Sequence, residues 1–435
     1  MNRSRGRRSR RLALSAAVIG LGLVALGPAP AALGRDAPTI VGIPPRTTFY
    51  GRGYGHGVGL SQYGARGRAI AGQTAAQILV HYYQGTTLGQ RSPTTLVRVL
   101  VLNAFAASSS SPLTIVGRAS SWTIDGIAKT FAANAKLTLA PTSSGASTWA
   151  LRVISATGAT LHAATVSSGI VVRPSASALL QLVSKPSAYD TYRGLLRIGL
   201  TTTATVVNQV AVDSYLRGVV PVEMPATWPV EALKAQAIAA RSYALYRIHP
   251  TTGTFDLYDD TRSQVYRGQE AEKAATDTAI AATSGTVGLS GSAVINALFH
   301  SAGGGATENN ENVFVSSTGA IVAGPLSYLR GSPDRAPDGS SYDASSPYAT
   351  WQTATYALDA LGLIFGHDSR TAVGTLSRLD LSRRGVSGRL ISITLIGSGG
   401  TKTVSGDVFR AVFNAWKPAA DPVLRSNLFA AKPIP

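Results

Sequence analysis

The sequence predicts an α+β protein that combines several helices with a long β-rich region. Between residues 96 and 205, short runs of Val, Leu, Ile and Thr alternate with Ser, Gly and Pro, a pattern typical of strands joined by turns. Apolar residues with helical spacing occur in Thr74–Tyr83, after Pro229 and near the carboxyl end. Hydrophobic residues make up 45% of the 435 positions, enough for a sizeable core.

The amino terminus predicts export. Residues 1–31 contain six arginines within the first eleven positions, then an apolar run over 12–26, then the small-residue pattern Ala29-Pro30-Ala31. This order is typical of a secretory signal peptide, and the apolar run is shorter than the roughly 20 residues that a transmembrane helix needs. We therefore expect an extracytoplasmic protein, secreted or associated with the cell wall or membrane, whose signal segment contacts the membrane during export. An uncleaved anchor is the alternative.

Composition and charge narrow the classes of function. The chain has no cysteine, which excludes disulfides, cysteine nucleophiles and thiolate metal sites. Its formal net charge is +18, and such a basic surface suits a polyanionic partner. For an exported chain, an acidic cell wall or an anionic lipid surface fits this charge better than nucleic acid does, so we predict no nucleic-acid partner.

The order of the patterns divides the chain into predicted segments. The β-rich region offers no obvious chemistry, because no Glu precedes residue 223; we interpret it as a scaffold or wall-binding module. The carboxyl-terminal part is predicted to contain helices over Thr355–Phe365 and Ser405–Trp416, with strands between them. The segments are a signal peptide (1–31), a glycine-rich segment with its helix (46–95), the β-rich module (96–205), a motif-rich core (206–331), a linker or loop (332–348) and a carboxyl-terminal α/β part (349–430).

Glu223 is the strongest candidate for acid–base chemistry. It lies in the stretch VVPVEMPATWP (219–229), between prolines that fix the local backbone and just before a predicted helix. Apolar neighbours such as Met224 and Trp228 raise a carboxyl pKa, whereas a nearby helix amino terminus favours the charged form. The sequence leaves open which effect wins. A role in capping, or in an ion pair with an arginine, is the alternative interpretation.

A glycine-rich motif, GRGYGHGVGLSQYGA (51–65), is the second candidate. Six glycines within fourteen residues allow the backbone to approach a ligand closely, although a tight structural turn is an equal alternative. The motif supplies polar side chains and aromatic faces of the kind on which sugars stack: Arg52, Tyr54, His56, Ser61, Gln62 and Tyr63.

Two further motifs follow later in the chain. Gln264 and Tyr266 would share one face of a strand and could line a groove; an exposed edge strand is the alternative. His300 follows an apolar run and opens a second glycine-rich loop, FHSAGGGATE (299–308). A metal ligand, a catalytic helper and a structural histidine are all compatible with His300, but no second His or Cys lies nearby in the sequence, so we predict no metal site.

Together these motifs resemble the SpoIID/LytB family, which contains sporulation stage II protein D and the amidase enhancers. The resemblance spans about residues 47–430 and rests on several stretches: GRGYGHGVGLSQYGARG, VDSYLRGVVPVEMPATWPVEALKAQAIAARSYAL, TRSQVYRG, ALFHSAGGGATENNENVF and Ser327-Tyr328-Leu329-Arg330. It implies a mixed α/β core with a long substrate groove. It also implies lytic transglycosylase activity on peptidoglycan glycan strands, preferring strands already stripped of stem peptides, with Glu223 as the catalytic acid.

Other members of this family enhance amidases. A non-catalytic, wall-binding enhancer of an N-acetylmuramoyl-L-alanine amidase is therefore the alternative function. For either function, we expect no cofactor. The expected groove contacts, besides the catalytic Glu223, are Arg52, Tyr54, His56, Ser61, Gln62, Tyr63, Gln264, Tyr266 and His300.

The chain departs from the family pattern in two ways. The motif GRGYGHG usually follows a segment like LRSNLF near the carboxyl end, whereas here it lies near the start and LRSNLF (424–429) lies near the end. This order indicates a circular permutation and predicts that the two ends of the mature fold lie close together. In some relatives, cysteines after the His-Ser pair hold zinc together with the histidine. Here Ala302 and glycines follow that pair, so zinc is not expected.

Overall fold

The computed structural model of the chain describes residues 44–248 and 253–434. The predicted signal peptide lies outside these residues. Helices account for 21% and strands for 32% of the structure, which confirms the predicted α+β class. The described residues belong to one compact unit, in which the segment boundaries given above stay predictions. No helix in the described ranges is long and apolar enough to cross a membrane.

Besides one 3-10 turn at Gln269–Ala271, the described residues form several α-helices. They are α1 Gln62–Ile70, α2 Ala75–Tyr82, α3 Val212–Arg217, α4 Val220–Glu223, α5 Val230–Tyr246, α6 Ala274–Ala282, α7 Asn310–Val313, α8 Leu358–Gly366 and α9 Gly406–Trp416.

The strands concentrate in the first half of the chain. They are β1 Arg46–Gly51, β2 Leu60–Ser61, β3 Thr87–Gln90, β4 Leu96–Phe105, β5 Leu113–Arg118, β6 Trp122–Ile124, β7 Thr130–Phe131, β8 Lys136–Pro141, β9 Trp149–Ile154, β10 Thr160–Val166, β11 Ile170–Pro174, β12 Leu179–Leu182, β13 Thr191–Tyr192, β14 Leu195–Leu200, β15 Ala204–Ala211, β16 Leu257–Tyr258, β17 Thr286–Ser290, β18 Ala293–Val294, β19 Phe299–His300, β20 Trp351–Ala357, β21 Leu376–Asp380, β22 Ser392–Gly397, β23 Gly400–Ser405 and β24 Phe429–Ala430.

The β-rich region forms two sheets that share one hydrophobic core. One sheet has the order β10-β9-β8-β5-β12-β13 and the other has the order β16-β4-β15-β14-β11-β6-β7. Buried side chains from both sheets, including Trp122 and Trp149, meet in this core. In β14, every second residue is buried, as expected for a strand with one face toward a core. The strands predicted from apolar runs in this region are therefore confirmed.

Helix α5 is buried on most of its surface rather than along one face. The helical spacing of apolar residues after Pro229 predicted a helix with one apolar face. Val230, at its start, is half exposed, while nearly all residues from Ala232 to Ala244 are buried. Its many alanines allow α1, α2 and α6 to pack closely around it. Pro229 caps the helix from the position before its first residue, where its missing N–H does no harm.

The two ends of the described chain pair in one small sheet. Strand β1 lies between β20 and β24, with Tyr50 opposite Ala430 and Gly51 opposite Phe429. The proximity of the ends predicted from the motif order is therefore confirmed. The predicted helix over 355–365 begins three residues later, at Leu358, because residues 351–357 pair with β1. The predicted helix α9 is present, and the Ser405 hydroxyl caps it.

The segment 332–348 is irregular and partly exposed, but some of its side chains are buried against the rest of the fold. Asp334 is fully buried; it accepts a hydrogen bond of 3.0 Å from the Arg68 guanidinium and one of 2.7 Å from the Tyr82 hydroxyl. These contacts fix the segment against α1 and α2. The loop conformation expected for these residues is present, but they are not a detached spacer.

Candidate functional site

The two glycine-rich motifs lie side by side. Strand β2 pairs in parallel with β19, so that Ser61 lies opposite His300. A second bridge joins Tyr54 to Ala302 through two backbone hydrogen bonds, of 2.9 and 3.1 Å. Gly59 makes the close approach possible: its φ is +70°, and a Cβ there would lie 2.1 Å from the Leu298 carbonyl oxygen. Motifs far apart in the sequence thus form one local structure.

Ser61 holds this structure together rather than contacting a substrate. Its side chain is fully buried, and its hydroxyl oxygen accepts hydrogen bonds from Gly64 N at 3.2 Å and Gly303 N at 3.1 Å. The first bond caps α1, and the second fixes the loop that follows His300. The expected contact between Ser61 and substrate is therefore wrong, because both the burial and the hydrogen bonds of this side chain keep it inside.

Glu223 lies at the end of α4, beside the start of α1. The side-chain amide of Gln62 donates a hydrogen bond of 3.1 Å to the Glu223 main-chain carbonyl. The backbone N–H of Val265 donates one of 3.2 Å to Glu223 Oε1. No Lys or Arg of the described residues contributes to the protonation balance of this carboxyl, so the ion-pair interpretation does not hold for the described structure.

Burial decides the protonation of Glu223. Loss of water around the carboxyl raises its pKa above the ordinary value of a glutamate. The hydrogen bond from the Val265 N–H and the nearby side-chain amide of Gln62 both favour the carboxylate and so lower the pKa, but their effect is smaller than that of burial. A carboxyl whose pKa is raised keeps its proton to a higher pH than an ordinary glutamate, which suits it to general acid catalysis.

The segment that carries Gln264 and Tyr266 is a buried loop, not a strand. The Tyr215 hydroxyl donates to Gln264 Oε1 at 3.2 Å, and the Tyr266 hydroxyl donates to Asn208 Oδ1 at 2.9 Å. Both side chains are almost inaccessible, so the prediction that they line a groove is wrong. Alternating residues that the sequence assigns to a strand are instead drawn into the core. This loop contributes the Val265 N–H to the site.

His56 and His300 form a neutral imidazole pair. Their ring centroids lie 5.4 Å apart. His56 Nδ1 accepts from Val58 N at 3.0 Å, while His300 Nδ1 lies 3.2 Å from the Val58 carbonyl oxygen and therefore carries the proton. Burial, followed by the Arg389 charge, lowers the pKa of His56 to about 4. Burial, followed by the proximity of His56, lowers the pKa of His300 well below its usual value.

The accessibility of the two histidines differs. His300 is 5% exposed, and its Nε2 has no hydrogen-bond partner in the described structure, so its expected contact with substrate is corrected to a position behind the surface. His56 is half-buried, and its contact stays a prediction. Within residues 44–248 and 253–434, no group of three or more His, Cys, Asp or Glu side chains could hold a metal ion.

Aromatic side chains flank the Glu223 segment. The rings of Tyr63 and Trp228 lie 4.8 Å apart between centroids, in an edge-to-face arrangement. The Arg66 guanidinium lies 5.7 Å from the centre of the Trp228 ring. Tyr63 follows Gln62, and Trp228 follows the Glu223 turn, so the pair extends the site with apolar faces on which a sugar ring could stack.

A second aromatic group surrounds Tyr54, which is 41% exposed. Its ring lies 4.9 Å from that of Tyr348, and the Arg425 guanidinium lies 4.3 Å from the centre of the Tyr348 ring. Tyr348 and Arg425 were not among the site residues predicted from the sequence. The one available signal was LRSNLF, which contains Arg425 and which the family pattern associates with the glycine-rich motif.

Arg52 joins the two ends of the described part of the chain. Its backbone N–H donates to the Leu428 carbonyl at 3.0 Å, and its carbonyl accepts from the Ser426 hydroxyl at 2.6 Å. Its guanidinium donates to the Ile434 carbonyl at 3.1 Å. Its contact with a substrate stays a prediction.

The long substrate groove implied by the resemblance also stays a prediction. A cavity of about 860 Å³ opens over the sheet that contains β4, β15, β14 and β11, and Glu223 is not among its lining residues.

Comparisons with known proteins support the resemblance. The family model described as stage II sporulation protein matches residues 201–289, which contain Glu223 and Val265. An uncharacterized protein of Brachyspira hyodysenteriae is 39% identical over 125 residues, which cover 28% of this chain and 34% of the relative. The amidase enhancer of Bacillus subtilis is 35% identical over 146 residues, covering 32% and 20%. Stage II sporulation protein D of Bacillus subtilis is 29% identical over 226 residues, covering 48% and 59%.

The chain thus spans between a fifth and three fifths of the length of these relatives. No solved structure shows a significant match to it.

Proposed function

Because the chain belongs to the SpoIID/LytB family of cell-wall remodelling proteins, we propose that it is an exported lytic transglycosylase that cleaves peptidoglycan glycan strands. The observation that carries this proposal is the half-buried Glu223 carboxyl, whose pKa burial raises and whose Oε1 the Val265 N–H fixes. The aromatic pair of Tyr63 and Trp228 adds apolar surface for sugar rings.

One carboxyl group suffices for this reaction. Most glycosidases need two carboxylates, because one of them must activate water or attack the sugar. In a lytic transglycosylase, the 6-hydroxyl of the muramoyl residue replaces water. Glu223 protonates the glycosidic oxygen, and the bond from that oxygen to the anomeric carbon breaks. The resulting carboxylate then takes the proton of the 6-hydroxyl, whose oxygen closes onto the anomeric carbon.

The cycle returns Glu223 to its protonated state and leaves a 1,6-anhydro end. The hydrogen bond from Val265 holds the carboxyl in one orientation throughout, while Gln62 holds the backbone of the same residue. The neutral His56 and His300 add no positive charge to the site, so they do not favour the carboxylate over the acid. The resemblance adds a preference for strands that have lost their stem peptides.

A non-catalytic amidase enhancer is the second candidate. The match to the Bacillus subtilis protein named amidase enhancer favours it, as does the net charge of +18, which suits binding to an acidic wall. In that case the partner is an N-acetylmuramoyl-L-alanine amidase, and wall hydrolysis depends on that partner.

We expect the purified protein alone to convert peptide-free glycan strands into fragments with 1,6-anhydro ends, detected by mass spectrometry. Strands with intact stem peptides should react more slowly. A sample with an added amidase separates the two candidates. Bound but uncleaved strands, with faster peptide release when the amidase is present, would favour the enhancer and contradict the transglycosylase.

The raised pKa of Glu223 predicts the pH dependence of cleavage. The acid must be protonated to act, so kcat/KM should be high at acid pH and fall as the pH rises through the pKa of Glu223. Because burial raises this pKa, the fall should occur above the ordinary glutamate value of about 4.3. Initial rates of anhydro-end formation across the acid and neutral range, with a parallel check that the protein stays folded, test this. A fall centred on the ordinary value would contradict the effect of burial.

A further inference from the structure

The geometry points to a carboxylate-binding subsite formed by Tyr54, Tyr348 and Arg425. We propose that it binds the lactyl carboxylate of a muramoyl residue whose stem peptide has been removed. This inference rests on the proposed action on glycan strands, and it names the residues that select the strand.

The surroundings of Arg425 are those expected of an arginine that binds a ligand. Its guanidinium lies 4.3 Å from the centre of the Tyr348 ring and 5.9 Å from that of Tyr54. In the described structure, it forms no ion pair with an Asp or Glu; the neighbouring Asp407 pairs with Arg410 instead, at 3.0 Å. A guanidinium that rests on an aromatic face keeps its N–H groups free at the edge, where they can bind both oxygens of a carboxylate.

The backbone around the subsite is fixed before any ligand binds. Gly55 N donates to the Arg425 carbonyl at 3.2 Å, and Arg410 Nη1 donates to the same oxygen, also at 3.2 Å. The next residue, Ser426, is fully buried, and its hydroxyl donates to the Arg52 carbonyl at 2.6 Å. Such preorganisation lowers the ordering cost of binding.

The subsite and Glu223 are linked through the paired motifs. Tyr54 bridges to Ala302, two residues after His300, and His300 lies opposite Ser61 in the β2–β19 pair. Gln62 then donates to the Glu223 carbonyl. The paired motifs thus join both places in one hydrogen-bonded structure, which a polymeric ligand can contact at more than one point.

Removal of the stem peptide changes the charge of the lactyl group that Arg425 would bind. In a strand that carries its stem peptides, the lactyl group ends in a neutral amide. After an amidase has acted, the same group ends in a carboxylate with one negative charge. Arg425 binds the charged form with charge-assisted hydrogen bonds that the amide cannot provide. Charge, besides the absence of the bulky peptide, then selects the peptide-free strand.

The test compares three strand preparations: peptide-free strands, strands with intact peptides, and peptide-free strands whose lactyl carboxylates have been converted to methylamides. We expect the wild-type protein to prefer the free carboxylates over the methylamides by about tenfold in kcat/KM. Arg425→Gln should lose about tenfold on the free carboxylates, leaving the methylamides unchanged, and Arg425→Lys should retain part of the preference. Arg152→Gln, which removes the same charge from an exposed position on β9, is the matched control and should change neither rate.

Equal loss on carboxylate and methylamide strands, or no loss on either, would overturn the inference. Equilibrium binding of the same three preparations by the Glu223→Gln protein separates this inference from the proposed function. If no anhydro ends form but binding still depends on both the carboxylate and Arg425, the subsite stands and the transglycosylase fails. If cleavage occurs without that dependence, the subsite fails and the transglycosylase stands.

Discussion

Replacing Glu223 by glutamine should abolish the formation of 1,6-anhydro ends while strand binding persists. Glutamine has nearly the same shape, and its side-chain oxygen can still accept the hydrogen bond from Val265 N. Its amide cannot protonate the glycosidic oxygen. General acid–base catalysis contributes about 10²–10⁴-fold to a rate, and Glu223 performs both steps, so we expect a loss of at least about 1,000-fold in kcat. The measurement is the mass-spectrometric rate of anhydro-end formation on peptide-free strands.

Glu231→Gln is the matched control for this variant. Glu231 lies eight residues further along, at the start of α5, and forms an ion pair of 2.7 Å with Lys234. Hydrogen bonds from Lys234 and from the Ala75 N–H lower its pKa, so it is ionised near neutral pH and cannot serve as an acid. Cleavage should continue in this control. Normal cleavage by Glu223→Gln would refute the catalytic assignment.

The stability of Glu223→Gln should depend on pH in a direction that the structure fixes. The pKa of Glu223 is higher in the folded protein than in the unfolded chain, so ionisation costs more in the folded state. The wild type therefore loses stability as the pH rises from the ordinary glutamate value through the raised one, whereas glutamine does not ionise. The variant should melt at a higher temperature than the wild type near neutral pH, relative to their difference in acid. A lower relative melting temperature near neutral pH would contradict the raised pKa.

Local chemistry made several elements predictable from the sequence. The run LLRIGL alternates buried and exposed residues, and it is a strand in the structure. Thr74 and Gln77 form a capping box at the start of α2, in the segment that helical spacing identified. The glycine-rich motifs could be recognised from the sequence because positive φ and close backbone contacts require glycine, so glycines cluster there along the chain.

The remaining features depend on contacts that have no local signature. Gln264 and Tyr266 are spaced as on a strand, which predicted that both side chains would line a groove. Instead, hydrogen bonds to Tyr215 and Asn208 hold them in the core. Arg425 reaches the glycine-rich motif through a segment whose Ser426 contacts a residue 374 positions earlier. The protonation of Glu223 was also undecidable from sequence, because burial and the Val265 hydrogen bond oppose each other and only the fold sets their sizes.

Glu308 is a buried carboxylate whose loss should strongly destabilise the fold. It is 1% exposed, in the loop that follows His300, and its oxygens accept five hydrogen bonds. The donors are Asn309 N at 2.9 Å, Asn312 Nδ2 at 2.9 Å, Val386 N at 3.0 Å, Ser387 N at 2.9 Å and the Ser387 hydroxyl at 2.6 Å. The side chain thus ties the turn at 386–387 to the second glycine-rich motif.

Glu308→Ala should lower the free energy of unfolding by about 3–5 kcal/mol, because it leaves several buried donors without an acceptor. Glu308→Gln should cost less, since one acceptor oxygen remains, although its new NH₂ group faces other donors. Urea denaturation measures the change as a lower midpoint with an unchanged slope. Glu231→Ala, which breaks a partly exposed ion pair and one hydrogen bond from the Ala75 N–H, should cost less, about 1–2 kcal/mol. If Glu308→Ala cost no more than Glu231→Ala, water or other side chains would satisfy the freed donors, and the turn at 386–387 would hold its place against the glycine-rich motif without this carboxylate.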